Sequence, residues 1–155
     1  MQQKRQLITA RDLGRTEEFL HAKIPLTRAM GIRVVSHAND TFSVEAPVAL
    51  NYNHMHTAFG GSINAVATLA AYAFLWLRLG DERVVVVRES TIRFVRPVRE
   101  TIRATCEQPA DATLDRFNRT LKMKGRASIE LRVVVEESDL IAAEFTGAFV
   151  ASARD

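Results

Sequence analysis

The run NYNHMHTAFGGS at positions 51–62 collects side chains that chemistry uses and delivers them to the start of a helix. Beyond it, residues 63–79 are apolar almost all the way round, with Ala65, Val66, Leu69, Phe74, Trp76 and Leu77 among them. A helix start presents N–H groups without intrahelical partners and the positive end of the helix dipole. Where such a start is buried, it polarises a carbonyl or holds an anion. Gly60 and Gly61 carry no side chain, so a ligand or another segment can come close to the backbone there. On residue type alone they have two readings. One is tight packing of the helix start against a neighbouring strand; the other is an oxyanion hole with a backbone N–H near Gly60 as donor.

The polar neighbours divide in the same way. Asn53 either holds its loop in a turn or orients a reacting group. His56 carries an imidazole that titrates near neutral pH, although a loop histidine is more often simply solvated; His54 and Tyr52 are weaker candidates. Asn64, Thr68 and Tyr72 follow at intervals of four and therefore share one helix face. They read as a hydrogen-bonded polar seam at a subunit contact or as a stripe lining a ligand channel, and buried hydroxyls and amides need partners in both cases. Glu89 is either an acid on the wet face of a strand or a carboxylate that enters the site of a second subunit. Arg93 and Arg96, with Arg88, Arg99 and Arg103 nearby, form a basic belt. It is a solvated face or a phosphate-recognition surface, to which the forked guanidinium is suited.

These groups must be held by the surrounding elements. Thr16 followed by Glu17 and Glu18 predicts a helix start, and the helix runs through Phe19 and Leu20 to end before Pro25. A short helical turn fits between Pro25 and Gly31. Ile32, Val34 and Ser36 alternate with Arg33, Val35 and His37, and Phe42, Val44 and Ala46 alternate with Ser43 and Glu45. Asn39 and Asp40 between the two runs predict a hairpin turn. The long apolar helix stops at Gly80. Strand patterns follow over 83–95, 99–106, 121–135 and 140–150, with a turn at Ser138 and Asp139. The third is the strongest, its odd positions from Leu121 to Val135 mostly apolar and its even positions mostly polar. Residues 107–120 have the least pattern and are expected to be a long hairpin connection. Residues 1–15 are expected to be a flexible leader and 16–151 a single domain.

A helix that is apolar on every side must be buried on every side. An antiparallel sheet that has to cover it does so by curling around it, which makes the fold α+β. One concave sheet cannot reach the whole circumference, and the remaining side predicts a second copy of the chain.

Composition narrows the function classes. The chain has 155 residues, 47% hydrophobic and 25% charged, with a net charge of +3. That length suits one domain with one core, and the mild charge, with no basic run interleaved with aromatics, gives no footprint for nucleic acid. Cys106 is the only cysteine, so no intrachain disulfide is possible and a reducing cytoplasm fits. No Cys/His spacing matches a structural zinc site, and no metal or redox cofactor is expected. Asn64, Thr68 and Arg78 interrupt the apolar helix, which leaves an unbroken stretch shorter than the roughly 20 residues of a membrane span.

The element order, and the Asn-rich loop leading into a helix begun by two glycines, resemble the hot-dog fold of acyl-thioester enzymes. Within it, PLTRAMGIRV at 25–34, TAFGGS at 57–62 and IRFVRP at 92–97 resemble one subgroup, the thioesterase-like domain that also occurs fused behind acetyltransferase domains. The broader group of phenylacetyl-CoA-type thioesterases has a loop of the form Asn-x-x-Gly-x-x-His-Gly-Gly. In that resemblance Asn53 stands at the Asn, Gly60 and Gly61 at the glycines, His56 at the first Gly and Phe59 at the His. The group's helix acid, nine residues after its His, falls on Thr68. No Asp or Glu occurs between Asn51 and Gly80, so the usual carboxylate does not carry over.

The resemblance implies an acyl-thioester hydrolase acting on acyl-coenzyme A or acyl carrier protein, working as a homodimer, with a tetramer as the larger alternative. It puts the thioester carbonyl at Gly60, with water positioned by Asn53, His56 or Thr68 and with Glu89 of the partner subunit as a candidate acid. Phe59, Gly61 and Asn64 are then expected to contact substrate, and Arg93 and Arg96 to meet coenzyme A phosphates. The absent helix acid keeps open a different class, a non-catalytic module that binds acyl thioesters or dimerises. A hot-dog hydratase or dehydratase needs a positioned His and an acid on the helix or its entering loop, and the missing acid counts against it.

Overall fold

The structure, a computed structural model, describes residues 8–36 and 41–154. Helix α1 spans Ala10–Lys23 and α2 spans Leu26–Ala29; strands β1 (Arg33–Ser36) and β2 (Phe42–Pro47) follow, then a 3-10 turn at Val48–Leu50. The central helix α3 spans Gly60–Leu79, and β3 (Arg83–Phe94), β4 (Thr101–Cys106), α4 (Asp111–Lys124), β5 (Arg126–Glu137) and β6 (Leu140–Ala153) complete the chain. One sheet holds all six strands in the order β1-β2-β4-β5-β6-β3, and every pairing is antiparallel. The expected turn at Asn39 and Asp40 lies outside the described residues.

The sheet curls around α3, as the all-round apolar surface of that helix requires. Ile63, Val66, Ala67, Leu69, Ala70, Ala71, Ala73, Phe74, Leu75 and Trp76 are buried along it. By length and composition alone α3 could cross a membrane, but these buried residues make it the core helix of the fold. The sheet supplies its inner face by strict alternation. On β5, Ala127, Ile129, Leu131, Val133 and Val135 point inward, opposite Ala151, Phe149, Gly147, Phe145 and Ala143 of β6. Gly147 lies between two large rings: a Cβ there would stand 2.7 Å from Phe149 and 2.9 Å from Phe145. The β5–β6 hairpin closes in two residues, Ser138 and Asp139, both with positive φ, the type I′ geometry that matches strand twist.

Three expectations are corrected. The first helix begins at Ala10, not at Thr16. Thr9 is the N-cap and forms a capping box with Asp12, while Thr16 is buried within the helix and its hydroxyl donates to the Asp12 carbonyl at 2.7 Å. Residues 10–15, expected in a leader, are therefore helical. The connection expected at 107–120 contains α4, which ends at Gly125 with φ 69°. Strand β5 accordingly starts at Arg126, five residues later than expected. Leu121 is buried as a helical residue, and Met123 is exposed.

The side of α3 that the sheet leaves open is also partly covered from within the chain. The Phe19 ring of α1 stacks on Trp76 with centroids 4.5 Å apart and reaches Tyr72 at 6.4 Å. Helix α1 is tied to the sheet edge where the Val34 N–H donates to the Glu17 carboxylate at 2.9 Å and His21 Nε2 donates to the Ile32 carbonyl at 2.8 Å. Toward the start of α3, Gly61 is exposed and Asn64, Ala65 and Thr68 are half-buried.

Candidate functional site

The loop that enters α3 is fixed by two asparagines with different duties. Asn51 is buried, and its amide donates to the Met30 and Pro47 carbonyls, both at 2.9 Å. Asn53 organises the turn itself. Its Oδ1 accepts from the Met55 and Thr57 N–H groups at 2.9 and 3.2 Å, and its Nδ2 donates to Thr57 Oγ1 at 3.1 Å. A bridge between Tyr52 and Ala58 closes the loop. The Phe59 N–H then donates to the Asn51 carbonyl at 2.7 Å and the Ala58 N–H to the Val98 carbonyl at 2.8 Å. Of the two readings of Asn53, the hydrogen bonds are those of a turn former. His56 sits at the tip with φ 57°, exposed, its ring stacked on Tyr52 at 5.4 Å; His54 is exposed as well.

Helix α3 starts directly after this anchored loop. Phe59 is its N-cap and offers no side-chain acceptor, so the first N–H groups keep both their donor capacity and the positive end of a 20-residue helix dipole. Two rings lean on this start. A Cβ on Gly60 would stand 3.3 Å from Phe94 Cζ, and a Cβ on Gly61 would stand 2.5 Å from Phe59 Cε1. Tight packing and donor exposure, the two readings of these glycines, thus coexist: the backbone is bare because aromatic rings need the space.

A cavity of about 340 Å³ opens at this point, lined by Thr57, Ala58, Gly60, Ile63, Phe94, Val95, Arg96 and Pro97. Its walls are largely apolar. Arg96 is the charged group at its rim. Arg96 Nε donates to the Ile141 carbonyl at 2.9 Å, which fixes the stem and leaves the end of the guanidinium free to meet an anion. Sequence reasoning singled out Gly60 and Arg96 but missed Phe94, although its alternation with Ile92 already put it on the inner face of β3.

The other expected site residues lie elsewhere or are engaged. The Thr68 hydroxyl donates to the Asn64 carbonyl at 2.8 Å. The Asn64 side chain has a buried Oδ1 without a partner among the described residues. Glu89 pairs in register with Ala148, after a bulge in β3, and points from the outer face of the sheet, away from α3. Arg93 is on that outer face too, opposite Glu144, with which it forms an ion pair. Hydrogen bonding and charge from Arg93, helped by Arg132, hold the Glu144 carboxyl below the usual carboxylate range. The 420 Å³ cavity beside them includes Glu130 and Glu144 as well as Arg93 and Arg132, so its charges balance in place. Cys106 is partly buried, and burial pushes its thiol up to about 12, which keeps it protonated and unreactive at neutral pH. Among the described residues no group of three or more His, Cys, Asp or Glu is gathered as metal ligands would be.

Residues 14–153 match a family model described as "Putative thioesterase (yiiD_Cterm)". Among solved structures, a protein of unknown function from Chlorobaculum tepidum superposes with a TM-score of 0.86 at 26% identity, covering 96% of this chain and 98% of the other. A putative thioesterase from Shewanella oneidensis superposes with a TM-score of 0.81 at 27% identity, over 94% of this chain and 100% of that one. A Pseudomonas aeruginosa protein described as a probable thioesterase reaches 0.76 at 22% identity, over 91% and 95%, and at that identity its likeness shows the fold alone. The fold is the hot-dog fold of thioesterases.

Proposed function

Because this chain belongs to the "Putative thioesterase (yiiD_Cterm)" family, we propose that it hydrolyses acyl thioesters of coenzyme A or of acyl carrier protein, at a site shared between two copies in the cytoplasm. The observation that carries this reading is the uncapped start of α3 opening on an apolar cavity. A thioester carbonyl laid against the N–H groups at Gly60 gains hydrogen bonds and the helix dipole as its oxygen becomes negative, and donors held in place beforehand are worth most in the transition state. The acyl group or the arm of the carrier lies along Ile63, Phe94 and Val95. Arg96, at the rim, suits a phosphate of the carrier.

The second copy is supported by the edge of the sheet. Among the described residues strand β3 pairs with β6 only, and it leaves Val86 53% and Phe94 52% exposed. Tyr52, Met55 and Phe59 of the neighbouring loop are exposed as well. An unpaired strand edge that exposes apolar side chains beside an apolar loop suits self-association.

The test is thiol release from a panel of acyl-coenzyme A substrates, run beside equilibrium binding of the same compounds. Turnover of at least one member supports the hydrolase. Tight binding without turnover supports the second reading, a binding or dimerisation module, which is favoured by the absence of Asp or Glu from Asn51 to Gly80. Neither turnover nor binding would overturn both.

A further inference from the structure

One side chain bounds the space in front of the α3 start, and it is an aromatic ring. Phe94 is the last residue of β3. Its ring points tip first at Gly60: a Cβ built there would stand 3.3 Å from Cζ, 3.6 Å from Cε1 and 3.9 Å from Cε2. Gly60 and Phe94 line the same cavity, with Ile63 on the same helix face one turn further on. The backbone that carries the ring is tied down. Phe94 pairs with Ala143, and the next two N–H groups, of Val95 and Arg96, donate to the Ala142 carbonyl at 2.8 and 3.1 Å.

The other walls beside the helix start are not free to change size. Ala58 and Ile63 are buried members of the core, where a larger or smaller side chain disturbs packing. Gly60 has no side chain, and the ring takes the space one would need. Phe94 is different. It lies outside the core cluster and is exposed, so its size can vary while the core stays packed.

With a thioester carbonyl laid against the Gly60 N–H groups, the carbonyl carbon and its substituents come within reach of the ring. One substituent is the carrier sulfur, common to every substrate. The other is the acyl group, which differs between them. Ring, Ile63 and Val95 form an apolar wall, which favours hydrocarbon. The amides of a carrier arm would lose water there without a partner. We propose that Phe94 is the specificity-determining residue of the site: its ring bounds the room beside the thioester carbonyl and sets the largest acyl group that reaches the donors at Gly60. This rests on the hydrolase reading of the same site. The acyl groups discriminated are apolar ones, told apart by size.

The experiment compares wild type with Phe94→Ala, Phe94→Leu and Phe94→Trp on straight-chain acyl-coenzyme A substrates from acetyl to palmitoyl. It measures kcat/KM for each chain, the thermal midpoint and the oligomeric state by sedimentation. Wild type is expected to have a longest chain that it uses well. For the next longer chains, kcat/KM relative to that chain is expected to rise at least about tenfold in Phe94→Ala, since one methylene in an apolar pocket is worth about tenfold or more. The rise is expected to be smaller in Phe94→Leu. In Phe94→Trp the optimum is expected to move to shorter chains. Opposite shifts from a smaller and a larger residue mark a wall; lost packing would lower every chain together.

A change by the same factor at all chain lengths overturns the proposal, because the ring then touches the arm that all substrates share or serves the fold. An unchanged ranking in folded Phe94→Ala and Phe94→Trp overturns it, as does a wild type that uses palmitoyl as well as every shorter chain. Loss of the fold or of the oligomer in all three variants would assign the ring to stability and overturn it too. These outcomes leave the hydrolase reading standing, since that is judged on wild type. A wild-type protein that turns over no member of the series defeats the hydrolase reading, and the proposal falls with it.

Discussion

A side chain at position 60 would enter the cavity ahead of any ligand. The Cβ of Gly60→Val would already stand 3.3 Å from Phe94 Cζ, and its two methyl groups would fall on the N–H donors or on the ring. Turnover of acyl-coenzyme A is expected to fall about a hundredfold or more, the usual cost of losing an oxyanion donor, while circular dichroism and oligomeric state stay those of wild type. A folded, fully active Gly60→Val would remove the start of α3 from the chemistry. The single thiol is expected to behave in the opposite way, as an inert group. With its pKa pushed up to about 12 by burial, Cys106 is almost entirely neutral at pH 8. Its alkylation by iodoacetamide should be far slower than that of free cysteine and should speed up on unfolding in urea. At this scale the sequence singled out Gly60 and Arg96, each with two readings, and the structure places both on the lining of one cavity. The sequence left Asn53 undecided because one amide serves a turn or a substrate equally well. Only the direction of its hydrogen bonds, into the loop, distinguishes the two.

Helix α1 tests how an element is held in place. Its Thr9 and Asp12 exchange side-chain bonds with each other's backbone N–H groups at 3.2 and 2.9 Å. Thr9→Ala is expected to cost about 1 kcal/mol in urea unfolding with little change in turnover, since α1 packs on Tyr72 and Trp76, far along α3 from its start. The bonds from Thr9 hold the Asp12 carboxyl below its ordinary range. A depressed carboxyl stabilises the fold above its unfolded pKa and loses that contribution as pH falls through the folded one. The difference between wild type and Thr9→Ala should therefore be full at pH 7 and shrink at acid pH; a constant difference would show that the box does not depend on the carboxylate. Helix α4 was legible in principle. Leu114, Phe117 and Leu121 follow a three-and-four spacing, and Gly125 marks the end with its positive φ. It was missed because Leu121 also fits the odd-numbered face of the strand that follows. A run of that length satisfies both periods until the cap is recognised.

The whole molecule presents an edge that no part of the described chain covers. Strand β3 is twelve residues long, and its Val84, Val86, Val87 and Phe94 are exposed while Val85 is buried. Sedimentation at micromolar concentration is expected to show a dimer, and a monodisperse monomer there would defeat the shared-site proposal. Lysines on a sheet edge oppose pairing with another edge. The double variant Val86→Lys, Val87→Lys is expected to weaken self-association at least about tenfold, equivalent to about 1.4 kcal/mol, and to lower turnover in parallel. Full activity in a monomeric form of that variant would mean that each chain carries a complete site.

By itself the sequence determined the architecture, because that depends on periodicity. Residues 63–79 are apolar at every helical angle, and residues 127–135 alternate strictly, so a sheet had to wrap a helix whatever the details of its turns. Tertiary structure alone decided which polar groups find partners. Thr68 and Asn64 are equivalent as sequence, four residues apart on one helix face. In the fold the Thr68 hydroxyl is satisfied by the Asn64 carbonyl, while Asn64 Oδ1 is buried with no donor among the described residues. The same holds for Glu89 and Phe94, both in β3. Strand alternation and one bulge send the acid to the outer face and bring the ring onto Gly60. Periodicity is a local property that a chain carries along its length. Hydrogen-bond satisfaction and facing depend on partners far apart in sequence, and those exist only once the sheet has closed around α3.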